Sequence, residues 1–268
     1  MNRVVRSFAH ALVLVLPLQC RDKQASPSEP PSLDRRDAAR SATAAPARAR
    51  ACAPDMVLVD GDYCPVVEQR CLAYLQDGPP YTHFRCERYD EQPVCRSARI
   101  RLRFCIDRFE YVAPGETLPM NEASLADAER LCAAAGKRPC LESEWNFACE
   151  GERMQPYPYG FERDASACHI DRTDLFEGSG KLADLRAAPG DFPDCASPFG
   201  VLDLSGNLEE SVIDEATGGV ALKGAYWQPG QNHCRARQTA HDRYYAGIET
   251  GFRCCANAGG GGPSTNSP

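Results

Sequence analysis

What this chain lacks narrows what it can be. It has no apolar run long enough to cross a bilayer as a helix; the best stretch, Ala11 to Leu18, is too short. It has no C-x-x-C pair, the spacing that zinc ribbons and thiol–disulfide exchangers need. G-x-S-x-G, the phosphate-binding P-loop, H-E-x-x-H and the dinucleotide fingerprint are all missing, which removes the commonest hydrolase, nucleotide and metalloprotease readings. Histidine is scarce, with five scattered residues and no H-x-E. Residues 21–50 contain no aromatic residue, and no internal repeat is visible. Positive charge is also short in the body of the chain. The first fifty residues carry +5, so residues 51–268 carry −12 of the overall −7. An acidic body argues against nucleic acid as a partner.

Cysteine, by contrast, is abundant: 15 in 268 residues, or 14 without Cys20. An even set in an exported chain reads as a disulfide framework. The N-terminus supports export. Arg3 and Arg6 precede the short apolar run, as in a signal peptide, and Cys20 follows where a lipoprotein would be cut and acylated, with Gln19 before it. Residues 1–20 are therefore read as a signal peptide. Residues 21–50, rich in Ala, Ser, Pro and Arg, are read as a disordered linker. One domain is expected over 51–256, followed by a glycine-rich disordered tail at 257–268.

Within the domain, RFCIDRFEYV alternates like a half-buried strand. Residues 65–100 hold Cys71, Cys86 and Cys95 and read as a disulfide-pinned segment, a small hairpin. A helix is predicted after Ser124, with Asp127 completing a capping box; Leu125, Ala128, Leu131, Cys132 and Ala135 form its apolar stripe and Gly136 its end. A second spans about Glu142 to Glu150, with Trp145, Ala148 and Cys149 on one face and Gly151 as the stop. Beyond residue 151 the Gly- and Pro-rich text predicts mostly loops and short strands. Tyr226, Trp227, Tyr244 and Tyr245 could line a groove or fill the core.

The last third reads FGVLDLSGNLEES, LKGAYW, CRARQTAH and GFRCC in that order, and GKRPCLESEWNFACEG stands upstream. This succession resembles the formylglycine-generating enzyme (sulfatase-modifying factor) family, whose pattern is roughly G-K-R-L-P-T-E-A-E-W-E-Y-A-x-R-G, then G-L-x-D-M-x-G-N-x-W-E-W, R-G-G-S-W, C-R-x-x-x-R and G-F-R-C. MVLVDGDYC resembles the family's opening strand and turn, M-V-x-I-P-G-G-x-F, whereas residues 65–100 match nothing in the pattern and are read as an insertion. The resemblance covers about residues 55–256, less that insertion. It implies an α+β fold, irregular and loop-rich, of C-type-lectin-like arrangement.

It also implies chemistry to look for. Oxidases of the family bind copper through two cysteines in the segment after G-G-S, a ligand pair suited to Cu(I). In the matching segment, Gly224 to Cys234, only Cys234 aligns with one of them; the other would fall near Pro229. Cys234 is then catalytic only if the chain is an active oxidase, and is otherwise a structural disulfide. His233 beside it would point to the opposite face of an extended strand. The pattern departs at Gln238 and Thr239, near the expected second arginine. The family G-N-x-W-E-W loop binds calcium, and Asn207 and Glu210 keep those oxygen ligands while Glu209 and Ser211 replace both tryptophans. The family Asn near Cys168–Asp171 is missing, so a second calcium site is not carried over. Cys149 and Cys254 stand where relatives form a disulfide; Cys255 takes a different partner, because a bond between neighbours is strained. Leu141 replaces a family Thr cap, a loss of about 1 kcal/mol.

The resulting expectation is an exported or lipid-anchored monomer without copper oxidase activity, calcium being the one cofactor to test, that acts as a binding or scaffold module for a protein or glycan. It would meet a membrane only through a lipid on Cys20. The alternatives are an active oxidase of a protein cysteine or small molecule, and a surface adhesin.

Overall fold

A computed structural model describes residues 51–76, 78–80 and 82–259. The expected signal peptide, the linker, Cys20 and the tail from 260 onward lie outside the described residues. Fourteen elements follow in chain order: β1 (Met56–Tyr63), β2 (Val67–Glu68), β3 (Cys71–Tyr74), β4 (Cys86–Tyr89), β5 (Val94–Cys95), β6 (Ile100–Asp107), α1 (Leu125–Ala134), β7 (Arg138–Pro139), α2 (Glu142–Glu150), β8 (Glu209–Ile213), β9 (Val220–Lys223), β10 (Arg237–Gln238), β11 (Thr250–Gly251) and β12 (Cys254–Asn257). No helix among the described residues is long and apolar enough to cross a membrane.

Two four-stranded sheets organise the domain, in the orders β1-β6-β12-β7 and β10-β9-β8-β11. β6 pairs antiparallel with β1 along its whole length, and β12 covers Phe104 to Ile106 on its other side. The alternation predicted for RFCIDRFEYV, which enters β6 at Arg103, does not hold within the strand: β6 is an inner strand and Phe104 to Asp107 are all buried. The core packs Val57, Val59, Phe104 and Ile106 against Trp145, Phe147 and Ala148 of α2, with Leu204 and Val212 from the second half of the chain.

Both helices form where their local signals predict. Ser124 Oγ accepts from Asp127 N (3.2 Å) while Ser124 N donates to Asp127 Oδ2 (3.2 Å), a reciprocal cap. At α2 the missing threonine is compensated from two directions. Leu141 N donates to Glu144 Oε2 (2.9 Å), and Ser143 N donates to Glu215 Oε2 (2.9 Å) on the turn after β8. Gly151 ends the helix at φ 63°, where a Cβ would lie 2.9 Å from Pro198.

The insertion holds two antiparallel pairs rather than a single hairpin: β2 with β5, and β3 with β4. Its three cysteines could not pair among themselves. Cys71 bonds Cys86, and Cys95 reaches Cys64 just outside the insertion. The domain also runs further than expected at its end. β12 extends through Asn257, and Gly259 N donates to Ala51 O (2.8 Å), so the two ends of the described region meet.

Seven disulfides use all fourteen described cysteines. The expected Cys149–Cys254 bridge is not formed. Cys254 bonds Cys132 of α1, Cys255 bonds Cys140, and Cys149 bonds Cys234. The reason is sheet order. β12 lies between β6 and β7, so its two adjacent cysteines face α1 on one side and Cys140, between β7 and α2, on the other. Cys149, at the far end of α2, meets the 224–234 segment instead.

Candidate functional site

The segment that would carry copper leaves β9 at Lys223, turns at Gly224 (φ 83°) and returns at Cys234. Cys234 is wholly buried, its N donates to Pro156 O (2.7 Å), and its sulfur is bonded to that of Cys149. A disulfide sulfur is neither a thiolate ligand nor a nucleophile. Pro229, where the other cysteine would fall, lines a surface cavity. His233 is half-buried, and its Nδ1 atom is out of reach of solvent without a hydrogen-bond partner among the described residues. Burial, then the charge of Lys223, pushes its pKa down to about 4, so the ring is neutral at physiological pH. Arg235, of the C-R motif, serves packing: it forks onto both oxygens of Glu150 and donates to the carbonyls of Cys64 (2.7 Å) and Pro65 (3.0 Å), which anchors the root of the insertion. Gln238 Oε1 accepts from Ala240 N (2.9 Å) in the place of the missing arginine.

The GNLEES loop is built on Gly206, whose φ of 81° and near contact with His169 O (2.3 Å from a hypothetical Cβ) admit no side chain. Asn207 follows, also left-handed at φ 58°. Its Oδ1 accepts from Ala187 N (2.8 Å) and its Nδ2 donates to Glu110 Oε2 (2.5 Å). Glu210 is buried and forked by Arg253, with Nε to Oε2 at 2.6 Å and Nη2 to Oε1 at 2.6 Å; Oε2 also accepts from Trp145 Nε1 at 2.9 Å. Calcium at Asn207 and Glu210 would need these same oxygens. A guanidinium at 2.6 Å already neutralises the carboxylate and would repel a dication there. As placed, the two residues are satisfied by protein groups and do not fit calcium. Thermal unfolding in millimolar calcium and in excess chelator is expected to give the same midpoint. A rise of several degrees with calcium would show that the ion displaces Arg253.

Residues not singled out from sequence surround this ion pair. Glu110 accepts from Leu208 N (3.0 Å), and burial together with the charges of Glu210 and Asp203 holds its carboxyl well above the usual range. Asp203 is raised to about 6, chiefly by burial. Arg253 is thus the countercharge for three carboxylates. The G-F-R-C motif carried the signal for it, though not for its partner. Where the family's second calcium site would lie, Asp171 Oδ1 accepts from Arg85 (2.7 Å) and Arg163 (2.7 Å), and His169 Nε2 lies 2.6 Å from Leu185 O.

The aromatic candidates divide. Trp227 is core, whereas Tyr226 lines the cavity near Pro229; Tyr244 is exposed, and Tyr245 donates to Glu249 Oε1 (2.6 Å). Glu209, at the start of β8, lines the same cavity.

With this geometry in hand, residues 101–258 match the model of the sulfatase-modifying factor enzyme 1-like domain, more than half of the chain. The chain belongs to this family. Curated relatives include the inactive C-alpha-formylglycine-generating enzyme 2 of Bos taurus, 32% identical over 158 residues (53% of this chain and 51% of that protein). Its Mus musculus counterpart is 33% identical over 159 residues (53% and 50%). The chain therefore spans about half the length of the curated relatives it matches. Among solved structures, PvdO from Pseudomonas aeruginosa superposes with a TM-score of 0.52 at 17% identity, covering 78% of this chain and 97% of that one. CarF does so with 0.50 at 15%, covering 76% and 98%. These two likenesses show the fold: the irregular, loop-rich α+β, C-type-lectin-like arrangement of the family.

Proposed function

We propose that this member of the sulfatase-modifying factor family is a non-oxidising module that works by binding, in an oxidising compartment outside the cytosol. The observation that carries the reading is the buried Cys149–Cys234 bridge, which occupies the cysteine that aligns with a copper ligand. Copper-thiolate chemistry needs a free thiolate there and a second cysteine near Pro229, and the chain has neither in this arrangement. The name "inactive" borne by the bovine and mouse relatives is in keeping with this. Seven bridges in one domain support export, because reducing compartments do not keep such sets closed.

The test is a thiol count on the exported protein. Alkylation in denaturant without reductant, followed by peptide mapping, is expected to label no cysteine between Cys52 and Cys255 and to recover Cys149 and Cys234 in one linked peptide pair. Stoichiometric Cu(I) uptake by a free Cys234 thiol would overturn the reading and return the chain to the oxidases.

A further inference from the structure

The segment after β9 encloses, with β8, β10 and the insertion, a cavity of 290 Å³. Leu222, Ala225 and Pro229 supply apolar wall, and Tyr226 lines it with them. Gln231 Nε2 donates to Phe84 O (2.9 Å), which ties the rim to the insertion. Glu209 also lines this space. Its carboxylate is only partly exposed yet takes part in no hydrogen bond or ion pair among the described residues. Glu249, beside it through the Glu209 N to Glu249 O bond (2.8 Å), has its own carboxylate engaged by Tyr245. Burial, then the charge of Glu249, holds the Glu209 carboxyl up at about 7. Arg237 reaches the same cavity, but Glu142 (3.1 Å) and Asp214 (2.8 Å) hold its guanidinium.

An unpaired carboxylate set partly out of water is unfavourable unless something cationic completes it. An aromatic ring on the same wall favours a cation too, through the negative face of its π-system. We propose that this cavity binds an organic cation, an ammonium or guanidinium group on a short apolar stem, with Glu209 as counter-ion and Tyr226 beside it. The stem would lie along Leu222 and Pro229. The group can arrive as a basic side chain of a protein partner or as a free alkylamine. This deepens the binding-module reading and rests on it for the cavity's purpose.

Calorimetric titration of the exported protein with n-butylammonium and n-butylguanidinium, with neutral n-butanol as control, tests it. Saturable one-to-one binding of the cations and none of butanol is the expected result. Glu209→Gln, checked by circular dichroism for an intact fold, should weaken it at least about tenfold; Tyr226→Leu should weaken it less. Blocked Gly-Lys-Gly and Gly-Arg-Gly peptides form the second arm. Tighter binding of the peptides assigns the site to a protein partner, and tighter binding of the free amines assigns it to a small molecule. No saturable binding of any cation by the native protein, or equal binding by Glu209→Gln, would sink the proposal. A free thiol at Cys234 would defeat the non-oxidising reading without changing these titrations, so the two failures are distinguishable.

Discussion

With Cys149 and Cys234 both replaced by alanine, the domain is expected to lose about 4 kcal/mol of stability in urea unfolding without reductant. The two residues are 85 apart in sequence, but that is not the loop the bridge closes. The Cys140–Cys255 bridge already short-circuits the chain, so the added bridge closes a ring of roughly thirty residues, for which the chain-entropy model gives this magnitude. Both sulfurs also lie in the main core cluster, so the substitution removes packing as well. The single variant Cys234→Ala should be close to the double in stability while leaving Cys149 as a buried thiol reactive only after unfolding. A loss below about 1 kcal/mol in the double variant would mean that the bridge does not form in the native protein, since small surface-like effects are of that order.

The second large effect is expected at Arg253. Arg253→Met removes the only fully buried guanidinium among the described residues that faces Glu210, and leaves Glu210, Glu110 and Asp203 without it. Breaking a buried pair from one side typically costs about 3–5 kcal/mol, because the remaining charge stays desolvated. The loss should depend on pH with a definite sign. Glu110 and Asp203 have folded-state pKa values above their unfolded ones, and removing Arg253 takes away a charge that lowers both. The folded state therefore binds more protons than the unfolded state between the two values, and its penalty is fully present above the folded pKa and relieved as pH falls. Since Asp203 already stands at about 6 in the native protein, the gap between variant and native stability should narrow as pH falls from 8 toward 5. Arg253→Lys keeps the charge without the fork and should fall between the two. A gap that widens on acidification would show that Arg253 does not serve as the shared countercharge.

What the sequence made legible is what depends on near neighbours. Ser124 with Asp127, the stripe through Cys132, and Glu142 to Gly151 fixed two helices because capping and a 3.6-residue period are local. The second half of β6 was legible as a strand in RFCIDRFEYV, and β1 through the resemblance of MVLVDGDYC to the family's opening strand. The covalent pairing was not, because it depends on which strands lie side by side: Cys254 finds Cys132 rather than Cys149 only once β12 is placed next to β7. GNLEES shows the same limit in polar terms. Asn207 and Glu210 read as calcium ligands through the family resemblance, yet Arg253, 43 residues further on, claims the carboxylate. Nothing within the loop announces that partner. The cavity is likewise non-local, joining Glu209, Tyr226 and Phe84 from a strand, a turn and the insertion.

The map of bridges also describes how the chain hangs together once backbone bonds are cut. Three of them lie wholly within Cys52–Cys105 and four within Cys132–Cys255. A single nick inside either group leaves its pieces joined through sulfur. Between Cys52 and Cys255 only the stretch from Cys105 to Cys132 is spanned by none, so one cut there divides the domain into two separately closed cages, held to each other by non-covalent contacts that include the pairing of β6 with β12 and of β4 with residues 161–163. In covalent terms, this fold is two knotted purses on one thread.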